Sequence, residues 1–306
     1  MHNIIVTGSS GFVAKNLMLY LEKLGYNTLG VSRKPKNKKE VSYAELKAGY
    51  WNNAIAMIHL AGKAHDLKNV ADGTDYYTIN TELTKNLFDQ FCKSDCPIFI
   101  YFSSVKAVAD SIEKKLTEDQ IPEPKTHYGK SKFAAERYLL SHELPSNKKI
   151  YILRPCMIHG PKNKGNLNLL YNFVKMGIPY PLGSYKNKRS FLSIDNLCFV
   201  IENLIKKKPE SVIFNVADDK PLSTVEVVKL IGDSLEKKVV VISPPKKIIH
   251  FISKIGGYLK LPFNEENLVK LTENYVVDNS LIKTELKISL PVTSEEGLAK
   301  TLKSFK

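Results

Sequence analysis

Cysteine is sparse in this chain of 306 residues, and Cys92, Cys96, Cys156 and Cys198 form no CxxC pair. The seven histidines show no HxxxH-like ligand spacing. Reduced thiols and no metal site are therefore expected. No apolar run reaches the roughly 18 residues that a membrane-crossing helix needs. Met1-His2-Asn3 passes straight into Ile4-Ile5-Val6 with no basic n-region, long apolar stretch or cleavage site, which predicts a cytoplasmic protein. Acids are also in short supply, 31 Asp and Glu against 45 Lys and Arg, for a net charge of +14. The lysines are spread through every segment and interleaved with acids, so they read as a solvated surface rather than a nucleic-acid face. Such a surface still favours an anionic substrate, for example a nucleotide diphosphate, or an anionic membrane face. Repeats and low-complexity tracts are absent, and 43% hydrophobic content can build a large core.

What is present alternates. Short β-rich runs at Asn3 to Thr7, Thr28 to Ser32, Ile55 to Leu60, Ile98 to Phe102 and Ile150 to Leu153 are separated by helical patterns at Phe12 to Leu24, Thr78 to Lys93 and Tyr128 to His142. A lysine-rich loop follows the second run. This alternation predicts βαβ units and a parallel sheet. In the first helix Val13, Leu17, Leu21 and Leu24 recur at helical spacing, and Gly25 stands where a left-handed terminator is wanted. After Arg154-Pro155 the pattern loosens into Pro- and Gly-broken pieces, with a helix near Leu167 to Met176. A helix at Ile194 to Lys206 and a strand at Val212 to Val216 return to the sheet. The expected organisation is a dinucleotide-binding domain over 1–155, with a return segment near 190–217, and a smaller discontinuous cap from 156–189 and 218–306.

The first turn, Val6-Thr7-Gly8-Ser9-Ser10-Gly11-Phe12-Val13-Ala14, suits a dinucleotide. Gly8 permits a tight turn, Gly11 lets a pyrophosphate approach the backbone, and the following helix offers N–H groups and a positive dipole end. Ser10, Phe12 and Val13 would line that cofactor. Ala14 replaces the third glycine, a mild departure at a position that serves helix–strand packing. The second strand ends in Ser32-Arg33-Lys34 rather than an acid, which points to NADP, with NAD as the other possibility.

Ser103-Ser104 ends an apolar run, and Tyr128-Gly129-Lys130-Ser131-Lys132 opens a helical pattern. Four residues apart, Tyr128 and Lys132 share a helix face, so an ammonium stands near a phenol that titrates near about 10 when free. That charge favours phenolate and makes the group a usable acid or base. Tyr43 with Lys47 and Tyr171 with Lys175 have the same spacing, but only Tyr128 follows a strand ending in Ser103-Ser104 and precedes another strand. Strand C-termini face the ligand crevice in such sheets. Ser104, Tyr128 and Lys132 are the candidate catalytic set.

Together these residues closely resemble the extended short-chain dehydrogenase/reductase family, in its nucleotide-sugar epimerase, dehydratase and reductase branch. The resemblance covers nearly the whole chain. It includes His59-Leu60-Ala61-Gly62, Asn80, Leu153-Arg154-Pro155, His159-Gly160-Pro161, Gly165-Asn166, Arg189-Ser190-Phe191 and Ile194-Asp195-Asn196-Leu197. It implies a Rossmann-type doubly wound parallel sheet with a smaller C-terminal substrate-binding cap. Leu60, Ala61, Gly62, Asn80 and Ser103 would join the cofactor site, and Lys106, Asn166 and Arg189 the substrate site. A homodimer through the long helices is implied too.

Departures from the family pattern narrow the activity. Dehydratases carry an Asp-Glu pair after the catalytic hydroxyl residue, where this chain has Val105-Lys106. Epimerases often show Val-Tyr-Gly several residues beyond the serine and an Asn soon after the later Arg; here stand Ala107-Val108-Ala109 and Met157. The pattern is most similar to reductases of nucleotide-linked 4-keto-6-deoxy sugars for surface polysaccharides. NADP-dependent reduction at C4 is thus the expected reaction, on a nucleotide or polyprenyl-diphosphate carrier. The alternatives are a 4-epimerase that retains NAD and, more remotely, a non-catalytic cofactor-binding regulator. Finally, Pro244 to Ile255 mixes apolar and basic residues at helical spacing, which suggests a short helix packed on the cap or a peripheral membrane contact.

Overall fold

The computed structural model describes residues 3–63, 73–163, 166–259 and 264–305, the Asn166 side chain excepted. At its centre lies a seven-stranded parallel sheet, built from β1 (Asn3–Thr7), β2 (Asn27–Val31), β3 (Glu40–Val41), β4 (Ala54–His59), β5 (Ile98–Phe102), β6 (Lys149–Pro155) and β9 (Ile213–Val216). Their order is β3-β2-β1-β4-β5-β6-β9. The chain therefore reverses direction of travel at β1, and β1 and β4 end side by side at the switch point where such sheets bind ligands. This is the Rossmann-type doubly wound arrangement expected from the sequence.

Successive strand residues point to opposite faces, and both faces are apolar because helices cover both. Ile4 and Val6 of β1, Ala56 and Ile58 of β4, and Ile98, Ile100 and Phe102 of β5 enter one core. α1 (Phe12–Lys23) and α7 (Ile194–Lys207) cover it, with Leu17, Leu21, Leu197 and Leu204 fully buried. Ile5, Met57, Phe99 and Tyr101 face the other way, under α4 (Leu83–Cys92) and α5 (His127–Leu140). Each such buried Leu, Ile or Phe stabilises the fold by about 1.5–3 kcal/mol. Gly25 closes α1 at φ +86°, the left-handed conformation anticipated there.

A third core joins α6 (Asn166–Lys175), α8 (Thr224–Ser234), α9 (Lys246–Tyr258), α10 (Glu265–Thr272) and α12 (Ser294–Lys303) through Tyr171, Leu182, Val228, Ile249, Leu268 and Leu298. Beside it β7 (Met157–His159) and β8 (Phe191–Ser193) form a small parallel pair. α11 (Ser280–Leu286) leaves this group and packs against β9 and α7. Two short elements, β3 and α2 (Ala48–Asn52), were not anticipated. The helix expected over Thr78 to Lys93 is a composite: α3 (Thr74–Tyr77), a single π turn (Thr78–Glu82) and then α4. Among the described residues no helix is long and apolar enough to cross a membrane.

Candidate active site

Gly8 adopts φ +67°, and a Cβ on it would stand 3.0 Å from both the Cα and N of Ala61. The segment Leu60-Ala61-Gly62 thus passes directly across the glycine turn. The Gly11 amide donates to the Gly8 carbonyl at 2.8 Å, and among the described residues no side chain caps the start of α1. Its first N–H groups face an open turn in which Ser10 and Gly11 are exposed and Phe12 and Val13 half-buried. Ser9 and Ser32 bury hydroxyls that have no partner among the described residues. Orphaned buried hydroxyls beside an uncapped helix N-terminus fit a dinucleotide, whose phosphates and ribose can satisfy them. At the end of β2 the exposed Arg33 and Lys34 follow Ser32, and the acid near them is Glu40 of β3, which lies beside Gly30 and accepts from the Lys36 amide at 2.9 Å. Tyr43, read from sequence as an incidental repeat of the Tyr-Lys spacing, lies at this turn: the Gly8 backbone and the Thr7 hydroxyl stand near enough to its phenol to oppose the upward push of burial.

The predicted trio comes together. Ser104 caps the 3-10 turn Val105–Ala107, its Oγ accepting from the Lys106 amide at 3.2 Å. Thr126 caps α5 by accepting from the Gly129 amide at 3.2 Å. Asp110 fixes that cap by accepting from the Lys125 and Thr126 amides and the Thr126 hydroxyl at 2.7, 3.1 and 3.0 Å. Tyr128 then comes near enough to Ser104 for the serine hydroxyl to favour its phenolate, while burial, the larger effect, raises its phenol above the usual value. One turn along α5, the Lys132 ammonium donates to the Phe102 carbonyl at 2.7 Å. It also fills the space beside Gly62, where a Cβ would be 3.0 Å from Nζ. Burial lowers Lys132 from 10.5 to about 8, partly countered by the charge of Glu136.

Several polar residues behind the trio carry its positions. Glu136, another turn along α5, accepts from Ser103 Oγ and, in a two-pronged pair, from Arg154 Nε at 3.1 Å and Nη2 at 2.6 Å. The pair is buried and ties β5, α5 and β6 together. Asn80 sits on the π turn, accepts from the Lys63 amide at 2.8 Å and donates to Ser131 Oγ at 3.0 Å. It joins the segment after β4 to α5, and the local widening of the helix is what places it there. His59 is fully buried between Thr7 Oγ1 at 2.7 Å and Thr84 Oγ1 at 2.9 Å, and burial pushes its imidazole down to about 3. It is neutral at physiological pH and locks the ends of β1 and β4.

The residues expected to meet substrate draw on distant chain segments. Lys106 lies over the ring of Tyr275 at 4.3 Å, and the Tyr275 hydroxyl donates to the Val105 and Ala109 carbonyls, spanning the turn that holds Ser104. Arg189 pairs with Glu273 at 3.3 Å and donates to the Lys270 carbonyl. The charges of Glu273 and Arg189 both act on Lys106. Arg189 also opens into a cavity of about 640 Å³ between α6, α9 and α10. Asn166 begins α6, but its side chain and Gly165 lie outside the described residues.

Residues 4–217 match the NAD dependent epimerase/dehydratase family. A UDP-glucose 4-epimerase of Vibrio cholerae is 32% identical over 99% of this chain and 95% of its own. An N-acetyl-alpha-D-glucosaminyl-diphospho-ditrans,octacis-undecaprenol 4-epimerase of Escherichia coli O157:H7 is 25% identical over 84% of this chain and 78% of its own. Among solved structures, UDP-glucuronic acid 4-epimerase from Bacillus cereus in complex with NAD superposes with TM-score 0.76 at 18% identity, covering 99% of this chain and 98% of that one. RMD from Pseudomonas aeruginosa complexed with NADPH superposes with TM-score 0.72 at 18% identity, covering 100% and 99%.

Proposed function

The chain belongs to the NAD dependent epimerase/dehydratase family, and from that premise we propose that it reduces C4 of a diphosphate-linked 4-keto-6-deoxy sugar with NADP(H). The observation that carries the reading is the convergence of Ser104, Tyr128 and Lys132 beside the glycine turn. When bound at Gly8 to Val13, the nicotinamide dinucleotide supplies the hydride. Ser104 holds the substrate carbonyl oxygen, and Tyr128 gives that oxygen its phenolic proton as negative charge develops. Lys132, charged below about pH 8, stabilises the tyrosinate left behind and reaches toward the nicotinamide ribose. The Phe102 carbonyl keeps that lysine in place beside Gly62, Asn80 holds the neighbouring Ser131, and Ser103, held by Glu136, keeps the end of β5 in register.

Ser32, Arg33 and Lys34 support NADP, since a 2′-phosphate suits two cations following a serine where an NAD enzyme often carries an acid. Val105-Lys106 supplies no acid–base pair for eliminating water, which weighs against a dehydratase. Lys106, Asn166 and Arg189 would engage the substrate, with Arg189 exchanging Glu273 for phosphate. A homodimer through α4 and α5 and a place in the cytoplasm, where surface-polysaccharide precursors are made, complete the reading. A second reading, 4-epimerisation with tightly held NAD, is favoured by the Vibrio cholerae relative.

The two readings part on one measurement. Purified enzyme is denatured, released cofactor is identified by absorbance and chromatography, and NADPH oxidation is followed with a nucleotide-linked 4-keto-6-deoxy sugar. The reductase arrives with little bound cofactor and consumes NADPH in proportion to sugar. Stoichiometric NAD with reversible inversion of the 4-hydroxyl, and no NADPH consumption, would establish the epimerase instead.

A further inference from the structure

Tyr76 and Tyr77 are consecutive on α3, and their rings diverge. Tyr77 meets the imidazole of His127 edge-on at 6.5 Å, whereas Tyr76 meets Tyr128 at 6.2 Å. Three further contacts seat α3 and the π turn along the start of α5: a Cβ on Gly73 would overlap the His127 ring, Asn80 donates to Ser131 Oγ, and Thr81 Oγ1 donates to the Ser131 carbonyl at 2.8 Å. Packing between two helical segments therefore fixes Tyr76 beside the reacting phenol.

Tyr76 is half-buried, and its hydroxyl has no hydrogen-bond partner among the described residues. Its phenol is near enough for charge on it to act on Tyr128. Over the face of its ring, 5.1 Å from the centroid, stands the ammonium of Lys63, which pairs with Asp75 at 2.9 Å and whose backbone amide donates to Asn80. A cation so placed draws on the ring electrons and makes the hydroxyl a stronger donor. The edge contact with Tyr128 needs only a ring, so the hydroxyl is surplus to packing.

Oxygens on adjacent sugar carbons lie about one hydrogen-bond length apart. Once Tyr128 and Ser104 hold the C4 oxygen, the neighbouring group on one side is the C3 hydroxyl. On the other side C5 of a 6-deoxy sugar carries a methyl group, which a phenol cannot bond. Resting on the C4 reading above, we propose that Tyr76 recognises the C3 hydroxyl, so that the enzyme takes 3-hydroxy 4-keto sugars in preference to 3-deoxy ones. Ser104 and Tyr128 address the oxygen that reacts, and Tyr76 the oxygen beside it. A sugar lacking that hydroxyl displaces water from the phenol and leaves it unpaired, which is the source of the discrimination.

Tyr76→Phe keeps the ring, its contact with Tyr128 and its face toward Lys63, and removes the hydroxyl alone. Calorimetry in the presence of NADP, which blocks reduction, measures how wild-type and variant enzymes bind dTDP-4-keto-6-deoxyglucose and its 3-deoxy counterpart, and NADPH oxidation gives kcat/KM for the same pairs. The wild-type enzyme is expected to bind the 3-hydroxy sugar about 10-fold more tightly than the 3-deoxy sugar, and Tyr76→Phe to erase that preference by losing about 10-fold on the 3-hydroxy sugar alone. Undiminished affinity of Tyr76→Phe for the 3-hydroxy sugar, an equal loss on both sugars, or a loss confined to NADP affinity overturns the assignment, because the hydroxyl is then idle, structural or a cofactor contact. The expected pattern of binding in an enzyme that neither oxidises NADPH nor inverts a 4-hydroxyl upholds Tyr76 and overturns the C4 reading alone.

Discussion

Gly129 lies so close to the carbonyl oxygen of Lys106 that a Cβ on it would overlap that atom. The first turn of α5 and the turn after β5 therefore touch backbone to backbone, which is how Tyr128 and Ser104 reach one another from opposite ends of a 24-residue separation. Gly129→Ala must push the two apart. The expected result is a loss of about 100-fold in kcat with affinity for the nicotinamide cofactor unchanged, read by steady-state kinetics and a cofactor titration.

Tyr128→Phe removes one oxygen from a half-buried site and keeps the ring that meets Tyr76 edge-on at 6.2 Å. Stability and cofactor binding should be preserved, and turnover should fall by about 10³-fold or more. Near-normal turnover would show that another group moves the proton.

Lys132 carries an opposite balance of function and stability. Its folded value of about 8 lies below the ordinary 10.5, so below pH 8 it is charged in both states and the folded state bears the full cost of burial. That cost fades as pH rises from about 8 to 10.5. Lys132→Met should abolish turnover yet unfold at higher urea at pH 7, by about 1–3 kcal/mol after loss of the bond to Phe102. The gain should shrink at pH 10.

His59 sets an acid limit. Its folded value of about 3 lies below the ordinary 6.5, so between those values only the unfolded chain takes a proton. Stability conferred by the neutral ring is complete above pH 6.5 and is lost as pH falls toward 3. From pH 7 to pH 5 this costs about 2 kcal/mol. A His59→Gln enzyme, less stable at pH 7, should show correspondingly less acid sensitivity in urea titrations over that interval.

The sheet was legible because its strands are apolar on both faces and separated by helices of clear period, and because Gly8, Ser104, Tyr128 and Lys132 fall at predictable ends of those elements. Glu136 was equally accessible, standing four residues beyond Lys132 on the same helix face. The π turn was not, since Thr78 to Glu82 continues an ordinary helical pattern and only packing against Ser131 reveals the wider coil. Nor could the sequence bring Tyr43 to Gly8 across a lysine-rich loop, or Glu273 to Arg189 across 84 residues. Those meetings depend on tertiary packing, which local periodicity does not encode.

The clamp of Tyr275 also bears on the order in which the enzyme is made. All seven strands of the main sheet and Ser104, Tyr128 and Lys132 have been synthesised once β9 has left the ribosome. The turn that holds Ser104 gains its two tyrosine bonds, and Leu116 its bridge to Val277, only some sixty residues later. A nascent chain can thus assemble its sheet well before the turn holding Ser104 is clamped, a step that waits until Tyr275 and Val277 have been made.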